Sequence, residues 1–351
     1  MRDRDRERGR ERARERDVDL SFDLATLPKL ELHLHHEGAA PPAFIRRLAQ
    51  EKRIDLGKVF DAQGHYAYSD FVDFLRVYEA ATEVLNTPED YARLTTAVLE
   101  QSAESGVIYS ETFLSPDFCG GSDVGAWKEY LHAIREAADA AERDMGIVLR
   151  GVITCIRHFG PEKARASAAC AAETAGDWIV GFGIAGDEAK GKPKDFSYAF
   201  DMAREAGLHL TAHAGEWGGP QSIRDAISDL GVSRIGHGVR AIEDLALVDQ
   251  LAESGVVLEV CPGSNVALKL YPDFTRHPIQ MLRERGVKVT VSTDDPPFFH
   301  TTMTREYEAL RLAFGWDRGV FAEIARTALD AAFCDAATKE KLAKRLEETP
   351  A

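Results

Sequence analysis

Eight short runs of apolar and β-branched residues punctuate the chain, at 27–38, 107–114, 148–153, 179–184, 208–212, 234–235, 256–260 and 287–292. Between them lie alanine-rich segments with helical apolar spacing, for instance 123–143, 162–174, 195–206, 222–230 and 244–253. Strands separated by helices pair in parallel, so an eightfold alternation predicts a sheet closed on itself, a (β/α)8 TIM barrel of α/β class. After position 301 the pattern is helical almost throughout, adding C-terminal helices to the last barrel unit. A length of 351 residues suits one barrel domain over 21–351, and no repeat at a solenoid period is visible.

In such a barrel, groups that carry chemistry collect at the carboxyl ends of the strands. The stretch VKVTVSTDDPPFF (287–299) ends a β-branched run on Asp294 and Asp295, and Pro296 and Pro297 then remove two backbone donors, so the acids sit at a strand's exit. Asp-Asp-Pro is also ordinary turn chemistry, and the surroundings decide between the two. LPKLELHLHHEG (27–38) alternates as a half-buried strand, which sends His33 and His35 to one face and His36 to the other, a structural position. Pro41 and Pro42 open a helix with Phe44, Ile45 and Leu48 on one stripe. Phe71, Phe74, Leu75 and Tyr78 recur at helical spacing, either as core or as a face over the barrel mouth. Gly186 follows the fourth run, His213 and Glu216 the fifth, and His237 the sixth, so all converge on one end of the barrel.

Three imidazoles and a carboxylate, His33, His35, His213 and Asp294, suit a catalytic zinc that keeps a position for water. Glu216, three residues past His213, is a carboxylic acid whose pKa burial would raise toward that of a general acid or base; the other reading is a cap on a helix starting near Pro220. His237 lies between glycines in RIGHGVR. A lone histidine is more often structural, but at the sixth strand's end it is placed to orient a hydroxide and stabilise its charge.

The formal net charge of -15 argues against non-specific binding to nucleic acid or an anionic membrane. Cys119, Cys155, Cys170, Cys261 and Cys334 are odd in number and show no C-x-x-C spacing, which points to a reducing, cytoplasmic setting without disulfides. No apolar stretch reaches membrane-spanning length, and the amino terminus lacks the hydrophobic core of a secretion signal. Residues 1–20 form a charged tail; within MRDRDRERGRERARERD eight arginines against six acids give +2, leaving -15 - 2 = -17 on the rest. Interleaved charges with almost nothing apolar predict a disordered, passive extension.

HLHHEG (33–38), AGDE (185–188), HAGE (213–216), GHGVR (236–240), CPGSN (261–265) and STDDP (292–296) together resemble the adenosine deaminase family of the metal-dependent hydrolases. That resemblance implies one zinc ion per subunit on His33, His35, His213 and Asp294, and a small-molecule purine as partner. Glu216 would pass a proton to purine N1 and His237 would hold the attacking hydroxide, while Asp295 would bond N7 and the Gly186 backbone N3. His35 and Glu37 would lie near the ribose. The implied reaction is hydrolytic loss of ammonia from C6, with adenosine and 2'-deoxyadenosine as substrates. Glu37 stands where adenosine deaminases usually carry aspartate and adenine deaminases commonly carry glutamate, whereas GHGVR and LEVCP are closer to the nucleoside enzymes. Adenosine is therefore the expected substrate and adenine the alternative, and a purine-binding protein that has lost turnover is a third reading. The bridging lysine of two-metal relatives has no counterpart at Ile184, Ala185 and Gly186, so a single metal is expected.

Overall fold

The structure, a computed structural model, describes residues 22–348. The tail expected at 1–20 lies outside the described residues. Eight strands follow one another round the sheet in chain order, each parallel to the next: β1 (Lys29–His35), β2 (Val107–Leu114), β3 (Val148–Ile156), β4 (Ile179–Ala185), β5 (His209–Ala214), β6 (Arg234–His237), β7 (Val257–Val260) and β8 (Lys288–Val291). Just beyond β8 the barrel closes onto β1: the His35 amide donates to the Asp294 carbonyl at 3.0 Å and the Asp294 amide donates to the His33 carbonyl at 3.2 Å. The expected barrel is thus present. β5 and β6 run far enough to include His213 and His237, while Asp294 lies past the end of β8.

One expectation about β1 is corrected. Its alternation does not mark a wet face, because Leu30 and Leu32 pack against Ala325, Ala328 and Leu329, while Lys29, Glu31 and His33 are buried as well. A barrel strand is covered by helices outside and by other strands' side chains inside, so its polar face must be satisfied by the protein. Lys29 Nζ donates to the Leu24 and Leu27 carbonyls, and Glu31 accepts from the amide and hydroxyl of Thr293.

Three helices, Pro42–Lys52, Phe71–Thr82 and Pro88–Glu104, separate β1 from β2, where the sequence pattern had shown two. The third begins with a capping box between Thr87 and Asp90 and has proline in its first turn, a start signal that satisfies two otherwise orphaned amides. Phe71–Thr82 is capped by Asp70, and Phe74 packs on Phe298 and Phe299, which lie just past the β8 exit. That contact carries the helix over the strands' carboxyl ends.

At the other end of the barrel, Arg234 forms ion pairs with Glu111 at 2.7 Å and with Glu259 at 2.6 Å. Its guanidinium carbon stands 3.4 Å from the Phe333 ring centroid, and Nη1 donates to the Ala331 carbonyl. The chain following the helix Arg318–Ala331 therefore seals the barrel floor on a buried charge network. Among the described residues no helix is long and apolar enough to cross a membrane.

Candidate metal centre and active site

Strands β1 and β5 and the β8 exit bring four side chains to one point. His35 Nε2 lies 3.1 Å from His213 Nε2 and 3.2 Å from Asp294 Oδ1, and His33 Nε2 lies 3.3 Å from the same oxygen. Nitrogens held at about 2.0–2.1 Å from a tetrahedral zinc stand about 3.3 Å apart, so these spacings fit a ligand set. His33 Nε2 is buried with no hydrogen-bond partner among the described residues, a desolvation cost that a metal bond would remove. Burial lowers the His33 pKa, yet the nearby carboxylates of Asp294 and Glu259 lift it to about 9. A metal ion at Nε2 would take the place of a proton there, beside Asp294, while Glu259 holds Nδ1.

His237 belongs to a second geometric grouping with His33, His213 and Asp294, all with atoms within 4.8 Å of one another. Its Nε2 stands farther off, 3.9 Å from Asp294 Oδ2 and 3.7 Å from Glu216 Oε2, so it borders the cluster. Asp294 at φ 68° and His237 at φ 62° are both left-handed without being glycine. Such backbone costs on the order of 1–3 kcal/mol and collects where side-chain aim matters more than stability.

The loop carrying Glu216 is wrapped round an anion. Glu188 accepts the amides of Gly215 at 2.7 Å, Glu216 at 3.2 Å, Trp217 at 2.8 Å and Gly218 at 2.7 Å, together with the Ser222 hydroxyl. Glu216 lines the pocket beside the cluster, and the helix Pro220–Leu230 has Gly219 as its N-cap, which disposes of the capping alternative. Burial, reinforced by the charges of Asp294 and Glu188, pushes Glu216 well above the usual carboxyl range. Asp295 is raised in the same way by burial and by Asp294 and Glu216, and among the described residues its Oδ1 has no hydrogen-bond partner. Gly38 lies against that carboxylate so closely that a Cβ there would collide with it.

The pocket is walled by Phe71, Phe74, Leu75, Tyr78, Phe118, Ile156 and Leu268, and His35, His213, Glu216, His237, Asp294, Asp295 and Gly186 also face it. Gly186 has φ 92°, and a Cβ on it would come within 2.7 Å of His158 Nδ1. Glu37 is buried behind the wall, where its carboxylate accepts hydroxyls from Tyr91 at 2.9 Å and Tyr78 at 3.2 Å. It is Tyr78 that meets the cavity. His36 turns away, bonding Thr95 at 2.9 Å.

Several contributors were not picked out from the sequence. Glu259 lies 2.9 Å from His33 Nδ1, and its only signal was an acid inside the apolar run VVLEV. Ser264 donates to Asp294 Oδ2 at 2.7 Å and Asn265 contacts His237, both inside CPGSN. His158, 3.0 Å from Glu79, ties the helix Phe71–Thr82 to the end of β3.

Comparison with known proteins agrees with this geometry. An adenine deaminase of Agrobacterium fabrum is 48% identical over 320 residues, 91% of this chain and 98% of that protein. Another, from Rhizobium rhizogenes, is 48% identical across 91% of this chain and 99% of its own length. Among solved structures, an adenine deaminase from Arthrobacter aurescens superposes with a TM-score of 0.84 at 30% identity, covering 92% of this chain and 98% of that one. An amidohydrolase from Burkholderia ambifaria with bound Zn gives a TM-score of 0.82 at 28% identity, with 95% of each chain covered. The family model for adenosine deaminase matches residues 28–349. With barrel, motifs and relatives in agreement, this chain is an aminohydrolase and belongs to the adenosine deaminase family.

Proposed function

We propose that the protein is a zinc-dependent adenine deaminase, converting adenine and water to hypoxanthine and ammonia. The observation that carries this reading is a pair of buried carboxyls, Glu216 and Asp295, both pushed toward the uncharged form and facing the same pocket as the His/Asp cluster. In a 6-aminopurine the amino group lies between two ring acceptors, N1 bonded to C6 and N7 one carbon further on, each with a lone pair, and a protonated carboxyl is the donor each requires. Relatives named adenine deaminase at 44–48% identity support the free base, and they displace the preference for adenosine drawn from GHGVR and LEVCP. The zinc-bound Burkholderia relative supports the choice of metal.

His33, His35, His213 and Asp294 would hold the zinc, which when bound would supply a Lewis acid that makes water nucleophilic near neutral pH. Glu216 donates to N1 as the oxygen bonds to C6, relieving the charge pushed into the ring. Asp295 at N7 and the Gly186 amide at N3 hold the ring in register, and His237 steadies the incoming oxygen. The proton that the water gives up on attack restores Glu216, the new C6 hydroxyl passes its proton to the amino group, the C6–N bond breaks as C6=O forms, ammonia leaves, and the product keeps hydrogen on N1. Tyr78, tied to Glu37, and Glu79, tied to His158, fasten one helix across the pocket from two sides, which favours a ligand without a sugar.

Ammonia release and the ultraviolet change on incubation with adenine, adenosine and an N6-alkyladenine test the reading. Adenine is expected to turn over fastest. No turnover of any aminopurine by zinc-loaded protein would overturn it, and faster turnover of adenosine would return the nucleoside to first place.

A further inference from the structure

Three hydrogen bonds run in single file from a backbone amide to the edge of the candidate site. The Ile279 amide points at His277 Nδ1 at 3.2 Å, His277 Nε2 lies 3.1 Å from Asn265 Oδ1, and Asn265 Nδ2 lies 3.3 Å from His237 Nδ1. His237 Nε2 then faces Glu216 and the cluster. His237, Asn265 and His277 are all buried.

The direction of this chain is fixed at its far end. A backbone amide can only donate, so His277 Nδ1 must accept, and its proton is on Nε2. That proton demands an acceptor, so Asn265 presents its oxygen to His277 and its nitrogen to His237. The amide nitrogen can only donate in turn, which makes His237 Nδ1 an acceptor and leaves the remaining proton on Nε2. Reversing any member would set two donors or two acceptors face to face in a buried place, a cost of about 1–3 kcal/mol for each unsatisfied group. The Ile279 amide is one of the orphans at the start of the helix Ile279–Glu284, so its direction is set by the fold.

We propose that Asn265 and His277 are positioning residues that lock His237 as its Nε2–H tautomer. His237 then offers a donor to the reacting oxygen and no lone pair to the metal. This accounts for why His237 borders the cluster while His35 completes it, and it rests on the adenine deaminase reading only for the identity of that oxygen. The other tautomer would turn the Nε2 lone pair inward, where it would repel the attacking oxygen or capture the ion.

The test is long-range ¹H–¹⁵N spectroscopy of zinc-loaded protein labelled at histidine, with His237 assigned by His237→Asn. A pyridine-type Nδ1 and a pyrrole-type Nε2 at His237 are expected in the wild type. In Asn265→Asp the carboxylate accepts from both sides, so the His237 signals should exchange types. At the same time kcat for adenine should fall by at least about 10²-fold with KM little changed, since a wrong tautomer in a hydrolase can cost up to about 10⁴-fold. His277→Gln, whose amide can still donate to Asn265, should keep both the tautomer and most of kcat, whereas His277→Leu should lose them. A pyrrole-type Nδ1 at His237 in the wild type, or an unchanged tautomer in Asn265→Asp, would overturn the proposal. The spectra read the tautomer whether or not adenine is the substrate, so failure of the substrate assignment remains distinguishable.

Discussion

His33 Nδ1 and Glu259 Oε2 lie 2.9 Å apart in the barrel interior, and neither side chain is exposed. Burial pushes the Glu259 carboxyl up, but Arg234 and His33 outweigh it and hold it below its ordinary value. An ionised partner on Nδ1 aims Nε2 at the cluster and raises its basicity. Glu259→Gln should therefore weaken zinc binding by about 10- to 100-fold, the usual penalty for losing such a contact. Competition with a chromophoric chelator measures this, and unchanged affinity would show that the pair serves the fold alone.

Glu216 stands beside the cluster without joining it, so the proposed acid catalysis and the proposed metal binding can be separated at this residue. Glu216→Gln should retain one equivalent of zinc and a normal melting temperature while kcat falls by about 10²- to 10⁴-fold. Metal analysis alongside kinetics decides the matter. Loss of zinc in this variant would make Glu216 a ligand instead.

Glu37 acts through Tyr78 in this structure, not by reaching the cavity. Shortening it in Glu37→Asp should loosen the tyrosine and raise the ratio of kcat/KM for adenosine over adenine by about tenfold, the lower end of what one methylene contributes to selectivity. An unchanged ratio would move selectivity to Glu79 and His158.

Glu306 is fully buried, accepting from the Gly263 amide and the Thr301 hydroxyl, and burial raises its pKa from 4.5 to about 8. The unfolded chain releases that proton near pH 4.5, so between 4.5 and about 8 the folded chain holds one proton more. Its stabilising contribution is complete below the lower value and declines as pH rises, at about 1.4 kcal/mol per pH unit. Glu306→Gln removes this slope. Denaturant unfolding from pH 5 to 8 should show the variant gaining on the wild type as pH rises, and parallel curves would contradict the assignment.

What could be read in advance followed from periodicity. His33 and His35 two apart in β1, and Asp294 and Asp295 ahead of paired prolines, are local patterns whose geometry is nearly independent of the rest of the chain. The eight strands were visible for the same reason. Glu259 was not, because its partner His33 lies 226 positions away and nothing local distinguishes a buried acid from an exposed one. The wet face expected of β1 failed because alternation reports two environments without saying which is solvent. The helix Pro88–Glu104 went unremarked although Thr87, Pro88 and Asp90 announce its start, and with it went Tyr91, half of the grip on Glu37. Direction along the Ile279–His277–Asn265–His237 chain is a property of hydrogens, legible only once all four groups are in place.

Asp294 occupies the seam where the end of the barrel meets its beginning, its backbone clasped between those of His33 and His35. A chain emerging from the ribosome carries its first histidines through most of its synthesis with no aspartate to meet them. On the proposed ligand set, metal capture would wait until position 294 of the 351 has been made. Any product truncated before the seam would hold stray imidazoles and no working centre, so the last strand to appear also decides whether the molecule is competent.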